Sequence, residues 1–183
     1  MNKNGFRRNK AWQFICDFIF LVLLIIVDQV SKYCAVCRLK EQKPYIIWDG
    51  VFELHYLENR GAAFGMLQNG KVFFVFAAVL MVTMIVFVLS KVPTKKKYLP
   101  WHIFLMLIGA GGIGNMIDRL RLDYVIDFLY FKLIDFPIFN VADIYVTIGT
   151  ALLVIFLVFV WREEDLNFLS FKLQKNSPKQ EKE

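Results

Sequence analysis

The sequence predicts an all-α membrane protein with four transmembrane helices and a short strand outside the membrane. Hydrophobic residues make up 57% of the 183 residues, and the mean hydropathy of +0.48 is far above that of an ordinary soluble domain. They are concentrated in four runs, each long enough to cross a hydrocarbon core of roughly 30 Å as a helix. The alternation typical of a strand occurs between the first and second runs.

The four predicted spans differ in how they begin. The first follows a basic segment, and its apolar run FIFLVLLIIV resembles the core of a secretory signal peptide. No small-residue cleavage site follows that run, so we predict an uncleaved helix instead. The second span contains no charged residue, and the third begins with Pro100, which suits the first turn of a helix. The predicted spans cover about residues 14–33, 72–89, 98–118 and 141–161.

Basic residues predict the orientation of the chain. Four spans put both termini on the same side of the membrane, together with the loop between the second and third spans. These segments are rich in lysine and arginine, and the KKK cluster at 95–97 lies in a very short loop, so that side is predicted to be cytoplasmic. Residues 1–165 form one predicted domain. Residues 166–183 form a polar, cytoplasmic tail that we expect to be disordered.

Composition also limits the partners. The net charge of +6 comes from lysines and arginines between the apolar runs and in the tail, not from one basic and aromatic surface, so no nucleic acid partner is expected. Cys16, Cys34 and Cys37 have no nearby histidine to complete a zinc site, and we expect no metal or cofactor. Cys34 and Cys37 form a CxxC motif whose role the sequence leaves open.

A short strand is predicted on the outer side of the membrane. VFELHYL at 51–57 alternates between two faces and follows a turn signal at Asp49 and Gly50. The next segment, ENRGAAFG at 58–65, contains small residues that let the backbone approach another group closely.

Residues 109–143 interrupt the apolar pattern and carry the candidate chemistry. Asp118, Asp127 and Asp143 lie where hydrocarbon is expected, and charges there are costly, so a functional site is the first hypothesis. The GAGGIG segment in this region matches the GxGxxG pattern of nucleotide-binding loops. Because no strand precedes it, we interpret it as a surface of small residues for close helix packing.

Helical spacing groups several polar side chains. Asn115, Asp118 and Arg119 project from one face of the third span, and one interpretation is a salt bridge between Asp118 and Arg119 at the helix end. An amide as deep as Asn115 needs a partner in the protein or in a ligand. Asp28 and Lys32, four residues apart with the acid first, predict an ion pair in the first span.

Asp127 and Asp143 suit more than one function. Both lie among apolar residues, where two neighbouring carboxyl groups cannot both ionise easily. A pair that shares one proton suits peptide hydrolysis, in which one carboxylate activates water and the other protonates the carbonyl oxygen. The same acids also suit a proton relay in a small proton-coupled transporter. A third hypothesis is a membrane scaffold in which the aspartates only pair with Lys32, Arg60 or Arg119.

Five segments occur in order along the chain: DQVSK at 28–32, ENRGAAFG at 58–65, GGIGNMIDR at 111–119, VIDF at 125–128 and FNVADIYVTIG at 139–149. Together they resemble the motifs of the bacterial lipoprotein signal peptidases, the signal peptidase II family. The resemblance implies an aspartic endopeptidase of the bacterial plasma membrane that cuts prolipoproteins on the N-terminal side of a diacylglyceryl-modified cysteine. It also implies a small extracytoplasmic β-sheet, or cradle, that includes the predicted strand, and an active site near the outer leaflet.

The resemblance implies a role for each motif residue. Asp127 and Asp143 match the catalytic pair, whereas Asp28 and Lys32 match a polar pair with a structural role. The residues that bind substrate or support the site are Asn59, Gly61, Asn115, Asp118, Arg119 and Asn140. We expect the enzyme to act as a monomer surrounded by membrane lipids.

The chain departs from the family at one position. Many relatives carry a glycine shortly before the VDF-type motif, where this chain has Asp123. The turn before Asp127 is therefore expected to differ, and a further acid near the catalytic pair is expected to perturb it. Both aspartates of the pair are nevertheless present.

Overall fold

The computed structural model describes residues 9–61 and 70–169. Within these ranges, four helices are long and apolar enough to cross a membrane, which confirms the predicted fold class. They are α1 (Lys10–Leu39), α2 (Lys71–Lys91), α3 (Leu99–Leu122) and α4 (Val141–Ile155), and a π-helical turn continues α4 through Phe156–Val160.

The first helix extends past both ends of the predicted span at 14–33. At its start, the side chain of Asn9 accepts a hydrogen bond from the amide of Ala11 and caps the helix. Its last turns leave the apolar run but bury Ala35 and Leu39 in a cluster with residues of the sheet. Packing against protein rather than lipid therefore lengthens α1.

In the described part of the chain, the sheet has three antiparallel strands in the order β1 (Tyr45–Trp48), β2 (Phe52–Asn59) and β3 (Val125–Phe131). The strand predicted at 51–57 corresponds to β2, whereas β1 and β3 were not predicted. The first four residues of β3 are all buried, so its sequence is a continuous apolar run with one acid instead of an alternating pattern.

Glycines on α3 let the neighbouring helices approach closely. A methyl group on Gly111 would overlap the carbonyl oxygen of Ala142 on α4, and one on Gly114 would overlap the carboxylate of Asp28 on α1. The GAGGIG segment is thus a packing surface, in agreement with the interpretation drawn from its membrane context.

Aromatic residues close the end of the bundle opposite the sheet. Trp101 of α3 stacks on Trp161, which follows α4, with ring centroids 4.6 Å apart. A 3₁₀ helix, Glu163–Leu169, then places Phe168 edge-on against Trp101 at 5.4 Å. Helical structure thus reaches four residues into the region that the sequence assigned to the tail. The rest of that tail lies outside the described residues.

Candidate active site

Asp127 and Asp143 lie on two elements that meet at the sheet end of the bundle. Asp127 is the third residue of β3 and lies opposite Leu57 of β2. Asp143 is in the first turn of α4. Just before α4, Phe139 forms a bridge with Leu129 of β3, and this pairing holds the head of α4 against the strand.

A capping box orients Asp143. The side-chain oxygen of Asn140 accepts a hydrogen bond from the amide of Asp143 at 3.0 Å, and Asp143 Oδ2 accepts one from the amide of Asn140 at 3.1 Å. Each side chain thereby satisfies a backbone donor that lacks a partner at the start of a helix. A local rule of helix capping thus fixes the position of one of the two acids.

Two side-chain amides connect the carboxylates. Asn140 Nδ2 donates to Asp127 Oδ1 at 2.6 Å, while Asn115 Nδ2 donates to Asp143 Oδ1 at 2.8 Å. Asn140 Nδ2 also donates to Asn115 Oδ1 at 3.1 Å. The four side chains therefore form one network, in which each acid has its own amide donor. The depth of Asn115, which predicted a need for a partner, is explained by these bonds.

Asn59 holds the second oxygen of Asp127. Its Nδ2 donates to Asp127 Oδ2 at 2.8 Å, and its Oδ1 accepts a hydrogen bond from the amide of Gly61 at 3.0 Å. Asp127 is also almost fully buried, with 1% of its surface exposed. Burial raises the pKa of Asp127 to about 7, the charge of Asp143 adds to this effect, and the two amide hydrogen bonds oppose it. This carboxyl group is thus able to hold a proton near neutral pH.

Lys32 is a buried cation beside this network. Its Nζ lies 3.0 Å from Asp28 Oδ2 and 2.9 Å from Asp118 Oδ2, and it donates to Asn115 Oδ1 at 2.9 Å. Lys32 is 1% exposed, and Asp28 is fully buried. These three acceptors compensate for the water that the ammonium group has lost.

The predicted pair of Asp28 and Lys32 is therefore present, and Asp28 also ties α1 to α4. Asp28 Oδ1 accepts a hydrogen bond from the amide of Ala142 at 3.0 Å. Ala142 lies directly before Asp143, so the carboxylate of Asp28 fixes the turn that carries the second acid.

The salt bridge considered between Asp118 and Arg119 does not occur; instead, Asp118 pairs with Lys32. Consecutive residues of an α-helix point about 100° apart, so the two side chains face different neighbours. Gln29 Nε2 donates to Asp118 Oδ1 at 3.0 Å, and the amide of Ile126 donates to Oδ2 at 3.3 Å. The carboxylate of Asp118 on α3 thus links this helix to α1 and to β3.

Arg119 faces the cavity described below. Its Nη2 donates to the carbonyl oxygen of Gly61 at 3.0 Å, and its guanidinium lies 4.3 Å from the ring centroid of Phe74 on α2. Arg60, which the scaffold hypothesis offered as a partner for the aspartates, lies over the ring of Tyr124 at 5.6 Å. Arg119 therefore joins α3 to α2 and to the end of β2, while its planar group keeps several N–H donors.

Both acids line a cavity of about 1010 Å³. Asn59, Asn115 and Arg119 contribute polar atoms to its wall. Much of the remaining lining is apolar and includes Phe74, Phe131, Ile134, Phe136, Ile144 and Ile148. The segment at 134–138 received no role from the sequence, because apolar residues outside the spans of a membrane protein form no distinctive pattern.

The backbone conformation at Asp123 explains why aspartate is accepted where many relatives have glycine. It ends α3 in the left-handed conformation, with φ at 67°, which glycine adopts without a steric penalty and which aspartate tolerates better than most residues. Its exposed carboxylate lies 2.6 Å from Lys71 Nζ, and this hydrogen bond holds the pKa of Asp123 below its usual value. The additional acid is therefore neutralised by a surface lysine instead of by the residues around Asp127.

The cysteines lie apart from this site. Cys34 and Cys37 are exposed free thiols near the end of α1, and Cys16 lies near its start. Across residues 9–61 and 70–169, no group of three or more histidine, cysteine or acidic side chains is arranged to hold a metal ion.

Residues 20–159 match the family model described as signal peptidase (SPase) II. The chain belongs to the signal peptidase II family. This family consists of aspartic peptidases, so the peptidase hypothesis raised by the two acids is confirmed at the level of the family. Nothing in the comparisons supports the transporter hypothesis.

Curated relatives and solved structures give the same family. The chain is 47% identical over 147 residues to the lipoprotein signal peptidases of Streptococcus pyogenes serotype M5 (strain Manfredo) and serotype M18 (strain MGAS8232), and each alignment covers 79% of this chain and 92% of the relative. Two solved structures, both described as bacterial membrane enzymes, superpose with a TM-score of 0.68 at 28% and 29% identity. They cover 78% and 80% of this chain and 87% and 94% of their own chains.

Proposed function

We propose that this signal peptidase II cuts prolipoproteins directly before a diacylglyceryl-modified cysteine, with Asp127 and Asp143 as the catalytic pair. The observation that carries the assignment is the amide network that joins these two acids at the wall of a large, mainly apolar cavity. Such a site combines two acids in different surroundings with room for a peptide and part of its lipid.

The surroundings of the two acids suggest different roles. Asp127, with a pKa of about 7, holds a proton that it donates to the carbonyl oxygen of the scissile bond. Asp143 accepts hydrogen bonds from N–H donors of Asn140 and Asn115, and in its ionised form it takes a proton from the attacking water. Water thus adds directly to the carbonyl carbon, and a proton passes to the leaving amine as the C–N bond breaks. No acyl-enzyme forms, and we propose no metal or cofactor for this chemistry.

The remaining polar residues hold the reacting groups in place. Asn115 and Asn140 position the carboxylates, and Asn59 with Gly61 forms the edge of the site next to β2. Arg119 presents its other N–H donors to the cavity, where they suit a carbonyl oxygen of the substrate. The structural support consists of Asp28, Lys32 and Asp118.

The apolar lining supports a lipid-bearing substrate. Ile144 and Ile148 lie one helical turn apart on α4, just after Asp143, and Phe74 of α2 lines the same cavity. We propose that acyl chains of the diacylglyceryl group lie along this groove. Each buried methylene contributes ~0.8 kcal/mol, so the lipid alone is able to fix the position of the scissile bond.

We propose that the active site lies near the outer leaflet and that both termini are cytoplasmic. Basic residues near the end of the bundle opposite the sheet support this orientation under the positive-inside rule. They are Lys10, Lys91, Lys95, Lys96, Lys97 and Arg162. We also propose that the enzyme acts as a monomer.

Single replacements of Asp127 and Asp143 with asparagine test the pair. Purified protein is incubated with a diacylglyceryl-modified peptide and with its unlipidated twin, and the cleavage product is measured. We expect each variant to lose at least about 100-fold in rate, because a general acid or base contributes about that much or more. The control is Asp123→Asn, the same chemical change at an exposed acid of a nearby turn, which should cut at the normal rate.

Near-normal cleavage by either variant would overturn the proposed pair. Equal cleavage of the two peptides would overturn the proposed role of the lipid but leave the pair intact. Proton flux into liposomes in the absence of peptide, abolished by the same asparagine variants, would instead support a transporter.

A further inference from the structure

A second cluster of buried polar side chains lies at the opposite end of the bundle from the peptidase site. His102 Nδ1 is 2.6 Å from Asp17 Oδ2, and Gln13 Nε2 donates to Asp17 Oδ1 at 2.9 Å. His102 is 5% exposed, Gln13 6% and Asp17 7%. Helix α1 supplies Gln13 and Asp17, while His102 comes from the first turn of α3. The mechanism proposed above uses none of these residues.

One ring nitrogen of this histidine has no partner in the described residues. With Nδ1 bonded to Asp17, the remaining polar atom of His102 is Nε2, which is buried and forms no hydrogen bond to any residue within 9–61 or 70–169. An unpaired buried polar atom is costly, so it marks a place where an additional group is expected. His102 lines a cavity of about 140 Å³ that is large enough for a phosphate-sized group.

The rest of that cavity is suited to an anion. Lys95 and Lys96 line it and are exposed, and no ion pair joins either lysine to an acid of the described chain. The cavity also lies at the N-terminus of α3, a helix of 24 residues, where backbone N–H groups and the helix dipole favour negative charge. Thr94 and Gln13 add further polar groups to the lining.

We infer that this cavity binds the phosphate group of an anionic membrane lipid. Two lysines, a helix N-terminus and a histidine together suit a phosphate group. Nε2 of His102 donates a hydrogen bond to a phosphate oxygen when the ring is protonated and accepts one from a headgroup hydroxyl when the ring is neutral. Asp17 fixes the ring orientation in both cases.

A lipid is favoured over a soluble phosphate because the cavity adjoins the membrane-facing surface. Trp12 precedes Gln13 on α1 and is 58% exposed, and Leu99, which lines the cavity, is 39% exposed. An exposed tryptophan at the end of a spanning helix is typical of the headgroup level. A lipid phosphate is therefore able to enter the cavity while its acyl chains stay beside α1 and α3. The inference does not depend on the function proposed for the other end of the bundle.

The test measures lipid affinity directly. The full chain in detergent is titrated with short-chain phosphatidylglycerol or phosphatidylcholine, and bound lipid is counted by native mass spectrometry. We expect Lys95→Gln/Lys96→Gln to bind phosphatidylglycerol roughly tenfold more weakly and phosphatidylcholine unchanged. The matched control is Lys91→Gln/Arg162→Gln, which removes the same charge from the same end of the bundle at residues outside the cavity. The control should retain the affinity for phosphatidylglycerol.

His102→Gln provides a second test. The melting temperature in detergent reports whether this variant is folded, and a folded variant should lose its preference for phosphatidylglycerol. If both double variants lost the same affinity for phosphatidylglycerol, diffuse surface charge would explain the binding, and the proposed site would be overturned. An unchanged preference in folded His102→Gln would also overturn it. Full competition by millimolar inorganic phosphate would overturn the assignment to a lipid.

Discussion

Replacing Lys32 with methionine tests the claim that burial gives the polar network its strength. The ammonium group lies within 3.0 Å of both Asp28 and Asp118, and each of the three residues is at most 2% exposed. Removing one partner of a buried ion pair costs about 3–5 kcal/mol, since the remaining charge is left in a medium that cannot solvate it. Lys32→Met leaves two such carboxylates, so we expect a loss of at least about 3 kcal/mol in the free energy of unfolding.

The assay compares Lys32→Met with Lys40→Met by denaturant unfolding in a mild detergent. Lys40 is a matched control, because its Nζ also lies 3.0 Å from a carboxylate, that of Glu58, but the two side chains are 40% and 30% exposed. We expect little change for Lys40→Met, since solvent screens an exposed pair. Adding Asp118→Asn to Lys32→Met should restore part of the stability, because it removes one of the two unpaired charges.

Equal losses for the two lysine variants would refute the reasoning, since the distances are the same and only the burial differs. Catalysis gives a second measure. Lys32 donates to Asn115 Oδ1, and the amide nitrogen of Asn115 donates to Asp143. Any folded Lys32→Met protein should therefore show a lower kcat, whereas Lys40→Met should not.

Three further predictions concern pH, packing and the turn before β3. Burial raises the pKa of Asp127 from 3.8 to about 7. The protonated Asp127 therefore contributes fully to the stability of the fold below pH 3.8, and this contribution is lost as the pH rises through about 7. The rate of cleavage should also fall as the pH rises through about 7. Asn59→Ala removes a hydrogen bond that lowers this pKa, and the alkaline limb of the pH–rate profile should move to higher pH, whereas an unmoved limb would contradict the role given to Asp127. Gly114→Ala places a methyl group against the buried carboxylate of Asp28 and should destabilise the fold by about 1–3 kcal/mol. Gly109→Ala should be tolerated, because the nearest atom to its new methyl group lies 3.5 Å away. Equal melting temperatures of the two variants would contradict the packing argument. Asp123→Gly should keep both the fold and the cleavage rate, and Asp123→Val should lower Tm, because a β-branched residue is strained at a φ of 67°.

The sequence predicted the membrane-spanning helices more completely than the strands of the sheet. Long apolar runs identify membrane helices because the bilayer imposes their length, and the structure confirms four such helices among the described residues. The strands β1 and β3 were missed, because β1 has four exposed residues in an unbroken aromatic and apolar run and the first four residues of β3 are buried. Neither has the alternation by which a strand with one buried face is recognised. The same limitation left Asp127 without an assigned element.

Side-chain partners were predicted where local spacing sets them and missed where it does not. The pair of Asp28 and Lys32 followed from a separation of four residues on one helix. The pairing of Asp118 with Lys32 joins α3 to α1, and no local pattern distinguishes it from a bond to Arg119. The same applies to Asn115, whose need for a partner was predicted but whose bonds to Lys32, Asp143 and Asn140 depend on how three elements meet.

By itself, the sequence predicted the membrane as the medium, the number of spans and the family motifs, since each of these depends on composition or on short-range spacing. The resemblance to the family then singled out the two acids that we propose as reactive. Only the tertiary structure decided which acid is buried in a strand, which one is held by a helix cap, and which pairs with a lysine from another helix. The physical reason is that burial and hydrogen bonding act over a few ångströms in space. Residues 127 and 143 acquire different surroundings only when β3, α3 and α4 pack against one another.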